Sequence, residues 1–535
     1  MDGDSKEKQG LMLNVIIMVI SIVTIVTVTV CVVANVDAVH KQDTNTRNMK
    51  SLLTVCIVTE EPESCSRALK HVGERGTVLN YVKAGISAIL AELLVVIRPK
   101  PRLEKGLTLL QQQSYQDCLE LLSLGKEELE SLYMMANSSG ELYELNKDDV
   151  MNGLSAVISY QHTCSDELMR TNIYEVLGYS LQVPILLTKI TLAIVSNFSE
   201  NPPNGSKGVG RLDGDPRWFS EEQPINAVVA QDGSGHFSTI ANSLSACPKN
   251  NTCACIIYVK RGRYEERVVI PKDVGKVLMF GDGPEETVVV GLNTRIVTTS
   301  FRAATFVVMG KGFICKDMGF SGSGAPALLV LADNAAFFNC KIDGEEGSLY
   351  AVAQRQFYRD CEILGSVDII KGDSATVIQN SQIIVKARNS SDLVLRRNVV
   401  SAQSRLDKYE RTGLVIQNCT IAAQEESSHA LTATTYLGSP YSEYSRTIIM
   451  ESFVGDVIHP KGWCKRSDNY GIETATFLEF DNRGPGAGTD KRVRWNGYTQ
   501  IFDRSQMLGY TVARFIQSDQ WLLNTGIPHQ SGFVF

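Results

Sequence analysis

AAFFNCKI (335–342), QFYRDCEI (356–363), TVIQNSQI (376–383) and GLVIQNCTI (413–421) are four versions of one unit, in which large apolar residues lead through a polar step to a Cys or Ser and then to a further Ile. The Cys or Ser stands at 340, 361, 381 and 419, so the first two steps are 21 and 20 residues. A period of that length, built of strand-like units with no helix between them, marks a β-solenoid, because each coil buries its inner face only against its neighbours. An antiparallel sandwich also uses short strands. It would not return the same aromatic, polar and Cys unit at a fixed step. The expected fold of residues 224–535 is an all-β right-handed parallel β-helix, whose coils line a long shallow groove suited to an extended polymer.

Upstream the period changes. From 48 to 195 apolar residues recur at three and four, as in LNYVKAGISAILAELLVVI (79–97) and YQDCLELLSLGKEELESLYMM (115–135), which predicts an all-α helical bundle. Residues 196–223 turn to Asn, Pro, Gly, Ser and Lys without any period and read as a linker. Leu11 to Ala34 carries no charge over 24 residues, long enough to span a bilayer. This predicts a transmembrane signal anchor at 11–34 with a cytoplasmic tail at 1–10. A cleaved signal peptide ending near Ala34 or Ala38 is the alternative, although the apolar run exceeds the roughly 7–15 residues of an ordinary signal core. Either way the rest enters the secretory lumen, where disulfides persist. Sequons at Asn137, Asn197, Asn204, Asn250, Asn389 and Asn418 fit that compartment.

The chain has 535 residues, 44% hydrophobic and 21% charged, so several domains of ordinary globular composition are expected. A net charge of -7 with no basic face argues against nucleic acid as a partner. No metal site or cofactor motif emerges. Seven histidines are scattered, and Cys253 with Cys255 falls one residue short of the common zinc spacing. Of thirteen cysteines, Cys31 lies in the apolar run. The connectivity of Cys247, Cys253, Cys255, Cys315, Cys340, Cys361, Cys419 and Cys464 stays open.

Cys56-x-x-Thr59-x-x-Pro62-x-x-Cys65, followed by YQDCLELL around Cys118 and GLSAVISYQHTC ending at Cys164, resembles the plant pectinesterase-inhibitor domain. That resemblance implies the pairs Cys56–Cys65 and Cys118–Cys164. The second half resembles plant pectin methylesterase from NAVVAQDGSGHFSTI (226–240) to WLLNTGIPH (521–529). Between them come GRYEERVVI (262–270), GDGPEETVVVG (281–291), RQFYRDCEILGSVDII (355–370), YSRTIIM (444–450) and NRGPGAGTDKRVRWNGY (482–498). Together the halves look like the two-module form of that family.

The family reaction hydrolyses a galacturonate methyl ester with two carboxylates. One attacks the carbonyl; the other protonates departing methanol and then activates water. Glutamines hold the oxyanion, and an arginine orients the nucleophile. Matched residue by residue, the resemblance puts Asp368 of GSVDIIKGD at the nucleophile position and Gly347 of GEEGSLY at the acid position. It puts Glu346 and Gly324 at the two glutamines and Ser439 of LGSPY at the arginine. Tyr441 stands for the substrate-stacking tryptophan, Ser300 for a groove threonine, and Ser381 for the cysteine that would pair with Cys361.

Losing a general acid costs on the order of 10²- to 10⁴-fold, and one oxyanion donor about 10²- to 10³-fold. The expectation is therefore a cell-wall protein that acts on or binds methyl-esterified homogalacturonan with weak or no turnover. Glu345 or Glu346 could serve as a displaced acid, and Asp368 could instead be a strand-end residue paired with Lys371. The alternatives are a non-catalytic pectin binder and an inhibitor of other pectinesterases acting through the helical half. Expected partners are pectin, other pectinesterases and, through 11–34, a membrane.

Overall fold

The computed structural model describes residues 49–98, 106–139, 146–198, 224–248, 254–292, 298–387, 397–424 and 434–535. The tail and anchor at 1–34, Cys31, most of the linker, Cys253 and the sequons Asn204, Asn250 and Asn389 lie outside them. The chain divides into two compact units, Met1–Ala84 and Gly85–Phe535.

Within the first unit a strand pair, Met49–Ser51 against antiparallel Arg75–Thr77, brackets helices α1 (Leu52–Cys56) and α2 (Pro62–Leu69). The Cys56–Cys65 disulfide joins them. Pro62 opens α2 at a position where the missing N–H would have no helical partner anyway. Helix α3 (Val78–Ile97) begins in this unit and runs on into the second.

The second unit holds α4 (Leu109–Ser138), α5 (Lys147–Arg170) and α6 (Tyr179–Asn197). Thr108 and Gln111 form a reciprocal capping box that starts α4. Asn146 caps α5, with Asp148 and Asp149 in its first turn where the helix dipole favours negative charge. Helices α4 and α5 pack along their length and are joined by Cys118–Cys164. At Gly153 the two helices come close: an added Cβ would stand 2.6 Å from Glu128 Oε1 and 3.0 Å from the Leu132 methyls, so those side chains would have to shift.

The solenoid is present as expected. Among the described residues its parallel strands form sheets of eleven, eight and seven. Each of the four repeat units turns a corner between two sheets in the predicted register: the leading apolar strands stack in the eleven-stranded sheet, with Phe337, Tyr358, Ile378 and Ile416 on successive coils, and the closing Ile residues stack in the eight-stranded one. The residue before each Cys or Ser explains the polar step of the repeat. Asn339, Asp360, Asn380 and Asn418 all adopt left-handed backbone, φ 50°, 51°, 55° and 51°, a conformation Asn and Asp tolerate better than other side chains. Their side chains form rungs: Asn339 Nδ2 donates to Asp317 Oδ1 at 2.6 Å and Asn418 Nδ2 to Asn380 Oδ1 at 3.0 Å.

Inside, Phe337 and Tyr358 stack at 5.0 Å, and Trp463 stacks on Phe477 at 4.3 Å. Burying such rings is worth about 1.5–3 kcal/mol each, which is why the repeat keeps large apolar residues on the inward positions. Cys247 and Cys255 form a third disulfide, while Cys315, Cys340, Cys361, Cys419 and Cys464 are buried thiols. Ser381 Oγ accepts a hydrogen bond from the Cys361 backbone N–H at 3.0 Å.

Candidate active site

Asp368 lies just ahead of strand Ile370–Gly372, 4% exposed and at φ 46°. This is the left-handed backbone that Asn and Asp also adopt at the corners of the repeat. Its Oδ2 accepts a hydrogen bond from Arg466 Nη2 at 2.8 Å. The ion-pair partner is thus Arg466, 98 residues downstream, and not Lys371. The Arg466 guanidinium also sits 4.3 Å over the Tyr441 ring. Burial alone would lower the pKa of Arg466, but the Asp368 carboxylate outweighs that and raises it.

Of the other positions singled out in the sequence, Glu346 and Gly347 bond to Val367, next to Asp368, and Tyr441 lies under Arg466, whereas among the described residues no bond ties Gly324 or Ser439 to this pair. Ser439 is buried, its N–H bonded to Ser401 O, so it contributes no charge. Gly324, at φ 71°, borders open space. Glu345 and Glu346 are exposed, and Glu346 forms a backbone bridge with Val367. Gly347 is at φ 59°, its N–H bonded to Val367 O at 3.0 Å. Lys371 Nζ lies 4.7 Å from the Tyr350 ring centroid. Burial and the nearby Arg170 lower the Lys371 pKa, partly opposed by Glu346, Asp368 and Glu167.

Helix α5 covers this ground. Every residue from Val150 to Gln161 is buried, although only one face meets the other helices. Its second face is a stripe of small polar residues, Asn152, Ser155 and Ser159, at helical spacing against the solenoid. Asn152 Nδ2 donates to Gln517 Oε1 at 2.7 Å, Ser155 Oγ accepts from the Arg411 backbone N–H at 3.0 Å, and Ser159 Oγ donates to Asp373 Oδ2 at 2.8 Å. Arg170 in the last turn of α5 donates to the Tyr441 hydroxyl at 3.2 Å. Ion pairs flank the stripe: Asp148 with Arg411 at 2.9 Å, Asp149 with Arg355 at 3.0 Å, and, from α4, Asp117 with Arg302 at 2.7 Å. A cavity of about 690 Å³ opens between the start of α5 and the coils at Asp333, Gln354 and Arg355, whereas beside Lys371 the space left under α5 is about 20 Å³, with Ser300, Tyr350, Lys371 and Tyr441 on one wall and Glu167 and Arg170 on the other. That is little more than room for one water. A sugar does not fit there until α5 moves.

Beneath α5, Asp373 and Glu410 share a fully buried site with Thr412, Gln403 and Arg405. Burial and the neighbouring Asp373 carboxylate push the Glu410 carboxyl well above its usual range. Because the folded pKa is raised, the stabilisation is complete below the ordinary Glu value of about 4.3 and declines as pH rises above it. The urea midpoint is accordingly expected to fall between about pH 5 and pH 8, and Glu410→Gln, which stays neutral, to flatten that slope. An unchanged slope in Glu410→Gln would remove this pair as its source.

Three residues of this neighbourhood escape pattern reading. Arg466 lies in GWCKRSDN, a segment without period; Arg170 belongs to the other module; and the location of Lys371 depends on coil stacking. Only the polar stripe 152/155/159 on an otherwise apolar helix was a visible signal that α5 faces something other than helices.

Comparison with known proteins places these features in context. The pectinesterase family profile matches residues 226–519, and the plant invertase/pectin methylesterase inhibitor profile matches residues 50–194. A probable pectinesterase/pectinesterase inhibitor 13 from Arabidopsis thaliana is 34% identical over 516 residues, covering 90% of this chain and 82% of the relative. A pectinesterase/pectinesterase inhibitor from Prunus persica is 37% identical over 442 residues, covering 78% and 82%. Among solved structures, pectin methylesterase from carrot superposes with a TM-score of 0.56 at 35% identity, covering 59% of this chain and all of that one.

Proposed function

Since the chain belongs to the plant pectinesterase/pectinesterase inhibitor family, we propose that it acts on methyl-esterified homogalacturonan in the cell wall, hydrolysing the methyl ester slowly through Asp368. The observation that carries this reading is the 2.8 Å contact by which Arg466 holds the carboxylate of Asp368, the residue that the resemblance puts at the nucleophile position. An arginine that fixes a carboxylate's orientation prepares it for attack on a carbonyl. Here that arginine arrives from another loop than the one bearing Ser439. Slow turnover follows from the bare Gly324 and Gly347, which offer no side chain to the oxyanion or the leaving group, and from α5 lying across the groove.

The chain would be organised as a tail (1–10), a signal anchor (11–34), an inhibitor-like bundle (48–195), a linker (196–223) and a pectinesterase-like β-helix (224–535). It would stay tethered at the membrane or be released to the wall.

The test is methanol release from highly methylated pectin by the intact lumenal chain, with Asp368→Ala alongside. Slow release that disappears in Asp368→Ala is the expected result. The absence of side chains at Gly324 and Gly347 also favours a second reading, a groove that binds pectin without turnover. Retention on immobilised pectin with no methanol from any form would establish that one instead.

A further inference from the structure

Gly347 and Lys371 occupy one volume between them. An ideal Cβ built on Gly347 would lie 2.5 Å from Lys371 Cε and 2.9 Å from Nζ, closer than any side chain can stand. The space into which residue 347 would project is therefore filled by the end of Lys371. The two come from adjacent coils, Tyr350 pairing with Lys371 in register, and Lys371 stands three residues after Asp368. Among the described residues no hydrogen bond or ion pair engages Nζ, which sits over the Tyr350 ring. Its N–H groups remain available to the cavity shared with Ser300, Ser404 and Tyr441.

We propose that Lys371 is the proton donor of this site, its ammonium standing where the family's second carboxyl group would project, so that the reacting pair is Asp368 and Lys371. This rests on the esterase reading above and names the acid that reading lacks. Asp368 adds to the ester carbonyl carbon, and the tetrahedral intermediate collapses with cleavage of the bond to the methoxy oxygen. That oxygen takes a proton from the Lys371 ammonium and leaves as methanol. The neutral amine then accepts a proton from the water that attacks the acyl-Asp368 anhydride. This releases the galacturonate carboxylic acid group and restores both the carboxylate and the ammonium. One ester and one water give one acid and one methanol, with no other reactant.

The charged groups around Nζ suit such cycling. Asp368 and Glu346 face it from the solenoid, Glu167 and Arg170 from α5, and His162 and Asp166 line the same cavity. Burial and Arg170 bring the Lys371 pKa down toward the range in which an amine can both give and take a proton. Glu345 and Glu346, exposed on the rim, do not occupy the acid's space.

The test measures methanol release across pH, and retention on immobilised methylated pectin, for the intact chain and for Arg302→Ala, which loosens α4 from the groove rim. Lys371→Met and Lys371→Arg are made in both. Lys371→Arg keeps the positive charge but cannot cycle a proton, because guanidinium does not deprotonate in proteins. It is expected to hold pectin as wild type does, to lose on the order of 10²- to 10⁴-fold in turnover, and to lose the alkaline limb of the pH profile. Turnover undiminished in Lys371→Met or Lys371→Arg would overturn this inference and leave the Asp368 reading standing. No methanol from any form, Arg302→Ala included, would overturn both.

Discussion

Arg302→Ala is expected to raise methanol release from methylated pectin by about 30- to 150-fold over the wild-type chain, the factor that a shift of about 2–3 kcal/mol in docking produces. Asp117 on α4 is 1% exposed and accepts from Arg302 Nε at 2.7 Å and from the Thr299 hydroxyl. Taking away one partner of a buried pair costs about 3–5 kcal/mol, because the other charge is left without compensation. Arg302 is itself 37% exposed, and burial already raises the Asp117 pKa, so protonation limits the loss to about 2–3 kcal/mol. That loss falls on the docked state alone, since an undocked Asp117 is hydrated. It therefore appears as a larger fraction of molecules with an open groove. Asp117→Ala should give a smaller gain, because it frees Arg302 toward solvent instead of stranding a buried anion. Equal rates in wild type and Arg302→Ala, measured at saturating pectin, would show that docking of the helices does not limit access.

Arg492→Ala is expected to destabilise the β-helix by about 3–5 kcal/mol. Arg492 and Glu479 are each 2% exposed and paired through two bonds, Nε to Oε1 at 2.7 Å and Nη2 to Oε2 at 2.9 Å. The guanidinium also donates to Pro460 O and Gly486 O, tying two loops to the coil. Trp463 Nε1 adds a third donor to Glu479. Without Arg492 the carboxylate is left among Trp463, Phe477 and Tyr498, in an aromatic part of the interior. The double variant Glu479→Leu/Arg492→Met removes both charges and should recover much of the loss, since apolar replacement of a buried pair is often neutral. Urea midpoints of the three proteins measure this directly. A double variant no more stable than Arg492→Ala would mean that the loop carbonyl contacts dominate over the stranded charge.

The solenoid was legible because its repeat is local: each unit carries its own inward apolar residue, its left-handed Asn or Asp, and its Cys or Ser. The two disulfides of the helical half were implied by the resemblance, and the structure forms both. What could not be read is what coil stacking and module packing bring together across long stretches of chain. Arg466 reaches Asp368 over 98 residues, and nothing in GWCKRSDN marks it. Lys371 looked like a partner for Asp368 because three residues separate them. The strand instead directs it to the space over Gly347 on the previous coil. The bundle and the solenoid were separable by periodicity, yet α4 and α5 fall into one compact unit with the coils, and the boundary between the two units lies at Ala84 within α3. Periodicity reports the local fold of a segment and is silent on what its outer face meets.

Because α5 and the groove it covers belong to one chain, their association is unimolecular, and dilution does not release it. An intramolecular contact of this kind is of the class whose effective concentration is of order millimolar. A free helical inhibitor, or a second copy of this chain, would have to reach that concentration to displace α5. In the docked arrangement the stripe 152/155/159 is already bonded to the chain's own coils. Covering a neighbour's groove and opening its own are, for this molecule, the same event.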